Sequence, residues 1–319
     1  MIRVGVIGVG RLGEHHARLL AGLPETRLVG IYDIDAARAE RIARPLRTKA
    51  FESGSALLSE VDAVTIAVPT PAHYAVAREC LKAGLHCLVE KPLTDTVEEA
   101  ESLIELARST NRILQVGHVE RFNPAVVEMR KHVHRPVFIE ANRLGPYDPR
   151  VSHIGVVLDL MIHDLDIVLS LVGERVKRID TIGAKVFSPH EDIAKATLFF
   201  EGGCRADLSA SRISFQKLRK IRVYQHDAYL SLDYSERSLK IYRKKGPKVE
   251  GLKDIQALRP RLEKYDPLEK QLAHFVDCVR HGKTPLVSGQ HGRDAIELAM
   301  EILGSMHVHE APALAGALR

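Results

Sequence analysis

Short apolar, β-branched runs alternate along the first third of the chain with segments whose apolar residues recur every three or four positions. Ile2 to Ile7, Arg27 to Tyr32, Val61 to Val68, Leu85 to Val89 and Arg112 to Val116 are the runs. Their near-continuous apolar character is that of strands covered on both faces. Arg11 to Gly22, Ala72 to Gly84 and Val97 to Ser109 read as helices between them. In the last, Val97, Ala100, Leu103, Ile104 and Ala107 make one stripe, and Thr96 with Glu99 forms a capping box at its start. Such alternation predicts a parallel, doubly wound α/β sheet.

The pattern changes in the middle third. Pro136 to Leu144, Arg178 to Val186, Ala194 to Phe200, Cys204 to Arg212, Lys220 to His226 and Tyr229 to Tyr234 read as strands joined mostly by short turns, with hairpin signals at Glu201-Gly202-Gly203 and His226-Asp227. An antiparallel meander is expected, one face packed and the other open, and an open face of that size suits a subunit interface. One helix, Gly155 to Val172, interrupts it and is stopped by Gly173. Asp266-Pro267 reads as N-cap and first position of a further helix with Leu268, Leu272, Phe275, Val276 and Val279 on one face, and Ile296, Ala299, Met300 and Leu303 mark a last one. The expected domains are 1–119, and 120–319 as a C-terminal α+β domain with a large open antiparallel sheet; the last helices are free to pack back on the first.

Composition narrows the class without changing this picture. The chain has 319 residues, 45% hydrophobic and 27% charged, with a mean hydropathy of -0.09. That excludes a disordered or disulfide-scaffold chain. Ala63 to Ala77, the longest stretch without a formal charge, has 15 residues and two prolines, too short and broken to span a bilayer. MIRVGVIGVG reads as a first strand rather than a secretion signal, and a cytoplasmic protein is expected. Cys80, Cys87, Cys204 and Cys278 have no metal or redox spacing and read as buried thiols. Net charge is +5, and the 12 Lys+Arg against 6 Asp+Glu between Glu201 and Glu250 account for it. A solvated sheet face explains this excess better than nucleic-acid binding, since no aromatic interleaving or recognised module accompanies the charges.

Gly8-Val9-Gly10-Arg11-Leu12-Gly13 follows the first strand directly and opens the first helix. Gly8 permits the tight turn, Gly10 leaves room for a pyrophosphate, and Gly13 lets helix and strand approach; the helix N-terminus then offers N–H groups to the phosphates. Asp33, 20 residues beyond Gly13, ends the second strand, where a carboxylate accepts from the adenosine ribose. Together these predict a Rossmann dinucleotide site. Asp33 repels a 2′-phosphate and Ile34 offers no counter-charge, so NAD is favoured over NADP, with Arg38 the one nearby cation. Two further segments fall at strand C-terminal ends, where an open α/β sheet binds its ligand: Pro69-Thr70-Pro71 with His73, and Glu90-Lys91-Pro92.

The helix Gly155 to Val172 is apolar nearly all round. Asp159, His163, Asp166 and Ser170 are exceptions lying within about 60° of one another at helical spacing, and Asp164 stands apart. A polar stripe on a buried helix needs charged partners, a metal or a wet pocket. A structural network accounts for Asp164 and Asp166. Asp159 and His163, one turn apart, are the candidates for chemistry; no third ligand has recognisable metal spacing, so no metal is expected.

GVGRLG, the VPTPAH segment, EKP at Glu90 to Pro92 and the Asp159–His163 spacing resemble the Gfo/Idh/MocA oxidoreductase family, and the resemblance covers nearly the whole chain. The chain departs from it in having Gly155-Val156-Val157 and Met161 where many members carry additional glycines. GHVERFNP, RLGPYDPR and VVLDLMIHDLDIVLSLVG are most similar to the branch that oxidises the 3-hydroxyl of UDP-N-acetylglucosamine for amino-sugar biosynthesis. The resemblance implies an NAD-dependent dehydrogenase of CH–OH groups, with Gly8, Gly10, Arg11, Leu12, Gly13, Asp33, Pro69, Thr70, His73, Glu90 and Lys91 on the cofactor. It implies His118, Glu120, Arg121, Asn123, Arg143 and Arg150 on the substrate. Arg121, Arg143 and Arg150 suit a diphosphate. Lys91, Asp159 and His163 are expected to meet at one alcohol over the nicotinamide, with His163 or Lys91 as base. Oxidation of a free polyol or sugar is the alternative, and a dinucleotide-sensing regulator the alternative of another class. A homodimer or homotetramer through the open sheet face is expected.

Overall fold

A computed structural model describes residues 1–149 and 153–310. Its elements begin β1 (Ile2–Ile7), α1 (Arg11–Gly22), β2 (Thr26–Tyr32), α2 (Ala36–Ala43), β3 (Lys49–Ala50), α3 (Gly54–Leu58), β4 (Ala63–Ile66), α4 (His73–Lys82), β5 (His86–Glu90), α5 (Val97–Ser109) and β6 (Leu114–Gly117). They continue with α6 (Pro124–Arg130), β7 (Pro136–Leu144), a π-helical turn (Val157–Met161), α7 (Ile162–Val172), β8 (Val176–Lys185), β9 (Ile193–Phe200) and β10 (Arg205–Ser211). Last come β11 (Leu218–Gln225), β12 (Ala228–Asp233), β13 (Ser238–Lys244), β14 (Ile255–Leu258), α8 (Pro267–His281), α9 (Gly289–Ser305) and β15 (His307–Glu310). No helix of the described residues is long and apolar enough to cross a membrane. Two compact units divide the chain: Met1–Phe122 with Tyr265–Glu297, and Asn123–Lys264 with Leu298–Arg319.

The first unit holds a six-stranded parallel sheet in the order β3-β2-β1-β4-β5-β6, the doubly wound topology that the alternating pattern predicts. Its elements follow from local chemistry. Thr96 caps α5 by accepting from Glu99 N–H, and Asp35 caps α2 by accepting from Arg38 N–H. The sequence pattern did not reveal α2, α3 or β3: the two helices are short, and a two-residue strand has no period to read. Asp266 caps α8, whose buried Leu272, Phe275 and Val276 join Val4, Val6 and Leu20 in one core. The segment carrying α8 therefore belongs to this unit.

The second unit is built on a nine-stranded sheet, β14-β13-β12-β11-β7-β10-β9-β8-β15. It is mixed, which corrects the simple meander: β7 runs parallel to β10, and β15 parallel to β8. After β7 the chain passes through α7 to β8, and the two hairpins that follow return β10 alongside β7 in the same direction. The hairpin at Glu201-Gly202-Gly203 places Gly203 at φ 94°, a conformation glycine adopts without a Cβ penalty. Strands β13 to β15 were not apparent in the sequence, because lysines and arginines interrupt β13 and β14 and β15 have four residues each. One core joins Ala125, Met129, Ile139, Leu165, Leu208 and Val223. Cross-strand partners Phe138, Tyr224, Tyr229 and Tyr242 form an aromatic row with centroids 5.6, 4.9 and 6.0 Å apart. Arg205, between Phe138 and Phe199 in the register, extends the row, and Arg178 stacks 3.8 Å over Phe199.

Candidate functional site

In the first unit a cleft of about 470 Å³ opens at the C-terminal ends of β1, β2 and β4, bounded by Gly8, Gly10, Asp33, Arg38, Val68 and Pro69. The glycines have three distinct reasons. Gly8 sits at φ 82°, and a Cβ there would lie 2.7 Å from Val68 Cγ1. A Cβ on Gly13 would overlap the Gly8 carbonyl, whereas one on Gly10 meets nothing within 4 Å. Gly10 thus leaves open the space a pyrophosphate needs, at the start of a helix whose first N–H groups a glycine N-cap side chain cannot cover. Arg11 and Leu12 point outward there and offer backbone N–H groups.

Asp33 is buried at the end of β2 and already holds three donors. Its Oδ2 accepts from Val9 N–H at 2.7 Å, and its Oδ1 from Asp35 N–H at 2.9 Å and Arg38 Nη2 at 3.1 Å. A carboxylate accepts about four hydrogen bonds, so one position remains for a ribose hydroxyl. Open space at Gly10, the bare helix N-terminus and this carboxylate fit an NAD molecule.

The other strand ends separate by role. Pro69 borders the cleft and Thr70 begins a short 3₁₀ turn. His73, expected on the cofactor, is buried with Nδ1 2.7 Å from the Pro92 carbonyl and Nε2 2.9 Å from the Val68 carbonyl. Both ring nitrogens are occupied, so it braces two loops rather than offering a polar atom to a nucleotide. Glu90 likewise turns inward: His16 Nε2 lies 3.2 Å from its Oε1, and Gln271 Nε2 donates to the same oxygen at 3.5 Å. A Cβ on Gly117 would stand 2.5 Å from that carboxylate, so the glycine ending β6 makes its room. The sequence reading missed His16 and Gln271; the glycine closing an apolar strand was the one signal.

Lys91 follows β5 half-buried. Beside it His118 is buried, and burial, then the positive charges of Lys91 and Arg121, push its imidazole down to about 3. His118 is therefore neutral near pH 7, and neither ring nitrogen has a hydrogen-bond partner among the described residues. Arg121 is buried and its Nη2 donates to the Leu286 carbonyl at 3.4 Å; Glu120 is half-buried.

In the second unit Asn123 caps α6, its Oδ1 accepting from Ala125 N–H. Arg143, expected to hold a diphosphate, is buried in a bidentate pair: Nε and Nη2 each donate to Asp164 at 2.9 Å, under the Tyr234 ring. Two faces of the guanidinium are thus committed to the helix, and Asp164 has the structural partner the sequence assigns it. Arg150 lies outside the described residues. The helix itself is not uniform. Val157–Met161 form a π turn before α7, so Asp159 stands on a widened turn and His163 on regular helix, both half-buried. Asp166 is buried. No cluster of three or more His, Cys, Asp or Glu among the described residues is arranged to hold a metal ion.

Comparison with known proteins agrees with this geometry. Residues 2–118 match the NAD-binding Rossmann fold of the Gfo/Idh/MocA oxidoreductase family, and residues 125–231 match that family's C-terminal domain. The chain is 37% identical to UDP-N-acetylglucosamine 3-dehydrogenase of Acidithiobacillus ferrooxidans, over 94% of this chain and 96% of that one. A solved structure of that enzyme superposes with a TM-score of 0.90, covering 96% and 97% of the two chains at 36% identity. Scyllo-inositol 2-dehydrogenase of Bacillus subtilis is 30% identical over 90% of this chain and 89% of that one. On that likeness the chain belongs to the Gfo/Idh/MocA oxidoreductase family, with NAD as its cofactor.

Proposed function

We propose that this protein oxidises the 3-hydroxyl of UDP-N-acetylglucosamine to the ketone. The near full-length likeness to a UDP-N-acetylglucosamine 3-dehydrogenase carries the reading. Bound NAD supplies the nicotinamide carbon that accepts the hydride. His163 takes the hydroxyl proton, Asp159 orients the hydroxyl or the imidazole, and Lys91 stabilises the developing alkoxide. In the variant of this scheme with Lys91 as base, His163 becomes the orienting group. Arg121 on the first unit and Arg150 serve the diphosphate.

A second reading, oxidation of a cyclic polyol, is favoured by the likeness to an inositol dehydrogenase. Turnover with UDP-N-acetylglucosamine, N-acetylglucosamine and scyllo-inositol separates them: the proposal expects reduced nicotinamide with the first alone, and equal turnover of N-acetylglucosamine and its UDP form removes the diphosphate from the account.

The protein is further proposed to act in the cytoplasm, which suits four buried free cysteines. It is proposed to assemble as a homodimer or homotetramer through the sheet face carrying the Phe138–Tyr242 row. Tyrosine, phenylalanine and arginine side chains, which make up this row, are enriched in interfaces.

A further inference from the structure

The turn carrying Asp159 has no cap of its own. Its N-cap residue, Val156, has no polar side-chain atom, so the first N–H groups need acceptors from elsewhere. They find them on a segment distant in sequence, just before β9. Val157 N–H donates to Glu191 Oε1 at 3.1 Å, and Val156 N–H to the Glu191 backbone carbonyl at 3.1 Å. Glu191 is buried, and Gly155 admits it: a Cβ on Gly155 would overlap the carboxylate. The next hydrogen bond along the turn, Asp159 N–H to the Gly155 carbonyl at 3.1 Å, ties Asp159 to the residue that admits Glu191.

The residue after Glu191 is hydrogen-bonded on two sides. Asp192 Oδ2 accepts the N–H groups of Val186, Phe187 and Ser188 at 2.8, 2.6 and 2.9 Å. The buried Arg212 pairs with Asp192 and donates to the Ile154 carbonyl, immediately before Gly155. Two consecutive acidic residues thus hold opposite sides of one joint, Asp192 the loop and Glu191 the helix entry.

We propose that Glu191 is a positioning residue for Asp159 and His163, fixing the rotation and advance of the turn that presents them. This rests on the reading of those two side chains as the groups that handle the substrate hydroxyl. Removing the carboxylate frees the Val157 N–H and lets the π turn relax toward regular helix, which rotates Asp159 relative to His163. Misplacement of this order costs about tenfold to a hundredfold in turnover.

Two readouts on the full-length protein test it. The first needs no substrate: the ring ¹H–¹⁵N resonances of His163, assigned through His163→Asn, are expected to shift in Glu191→Ala and to return in Glu191→Gln, which keeps an acceptor. Gly155→Ala, which displaces the carboxylate without removing it, should give the Glu191→Ala spectrum, and the double variant no more than either single change. Unchanged His163 resonances in Glu191→Ala overturn the proposal. The second is steady-state turnover with NAD and UDP-N-acetylglucosamine, where kcat should fall in Glu191→Ala while the KM for NAD holds. A lowered Tm with the kcat of the folded protein intact makes Glu191 a stability residue only and also overturns it. Shifted resonances together with full turnover in His163→Asn would instead count against the assignment of His163 to the chemistry.

Discussion

Asp33 borders the cofactor cleft and Asp159 is proposed to orient the substrate hydroxyl or the imidazole, and the two are held in different ways. Asp33 takes its donors from Val9, in the glycine turn, and from Asp35 and Arg38, two and five residues along. Asp159 depends on a helix entry fastened by Glu191, 34 positions beyond Val157, and by Arg212 reaching Ile154 across 58. A site built from backbone turns at strand ends is specified by the two adjoining turns themselves, here 24 positions apart. A site on a helix face is specified by whatever fixes the helix, and those residues come from other strands.

The largest test of that contrast is chemical. His163→Asn and Lys91→Met should each lower kcat by about 100- to 10,000-fold, and in His163→Asn NAD affinity, measured by calorimetry, should stay near wild type, because His163 does not touch the glycine turn. Next is the brace behind the helix. Arg143→Met leaves a buried Asp164 carboxylate unpaired and should cost about 3–5 kcal/mol in urea unfolding, and adding Asp164→Leu should recover most of it. Full stability in Arg143→Met would show that the helix does not rely on remote partners.

The glycines give a sharper comparison within the first unit. Gly13→Ala should lower Tm, since its Cβ has only the Gly8 carbonyl to enter, while Gly10→Ala should leave Tm alone and weaken NAD binding. Equal behaviour of the two would remove the distinction between a packing glycine and a phosphate glycine.

A smaller effect attaches to His118. Its folded value, about 3, lies below the ordinary 6.5, so the unfolded chain binds the extra proton between these values. Stability therefore rises with pH across that window and is lost as the solution is acidified from 6.5 toward 3. His118→Gln should flatten this loss, measured as Tm at pH 7 and pH 5. Smallest is Gly203→Ala: its φ of 94° with no atom within 4 Å of a Cβ makes the cost conformational, about 1 kcal/mol.

How much of this the sequence carried follows the same division. Strand–helix alternation and the turn signals at Gly8, Gly173 and Gly203 are local, and the structure has them where the pattern puts them. The parallel pairing of β7 with β10 is not local, since it depends on which hairpin returns to which edge. Asp33 was legible because a strand end 20 residues after a glycine turn leaves few alternatives. Glu90 and His73 sat in the right segments, but the sequence does not say whether a side chain at a strand end turns toward the ligand or into the protein. Arg143 looked like a diphosphate ligand for the same reason: its partner, Asp164, is remote. Glu191 gave no signal beyond Gly155, whose missing side chain marks its place.

The most direct measurement of the whole account is isotopic transfer from UDP-N-acetylglucosamine deuterated at C3, mixed with the enzyme and NAD. The account predicts deuterium in the reduced nicotinamide and a 3-keto sugar, both lost in His163→Asn with NAD still bound. Deuterium retained at C3 while NAD is bound, or reduction of NAD by that sugar without label transfer, would contradict it.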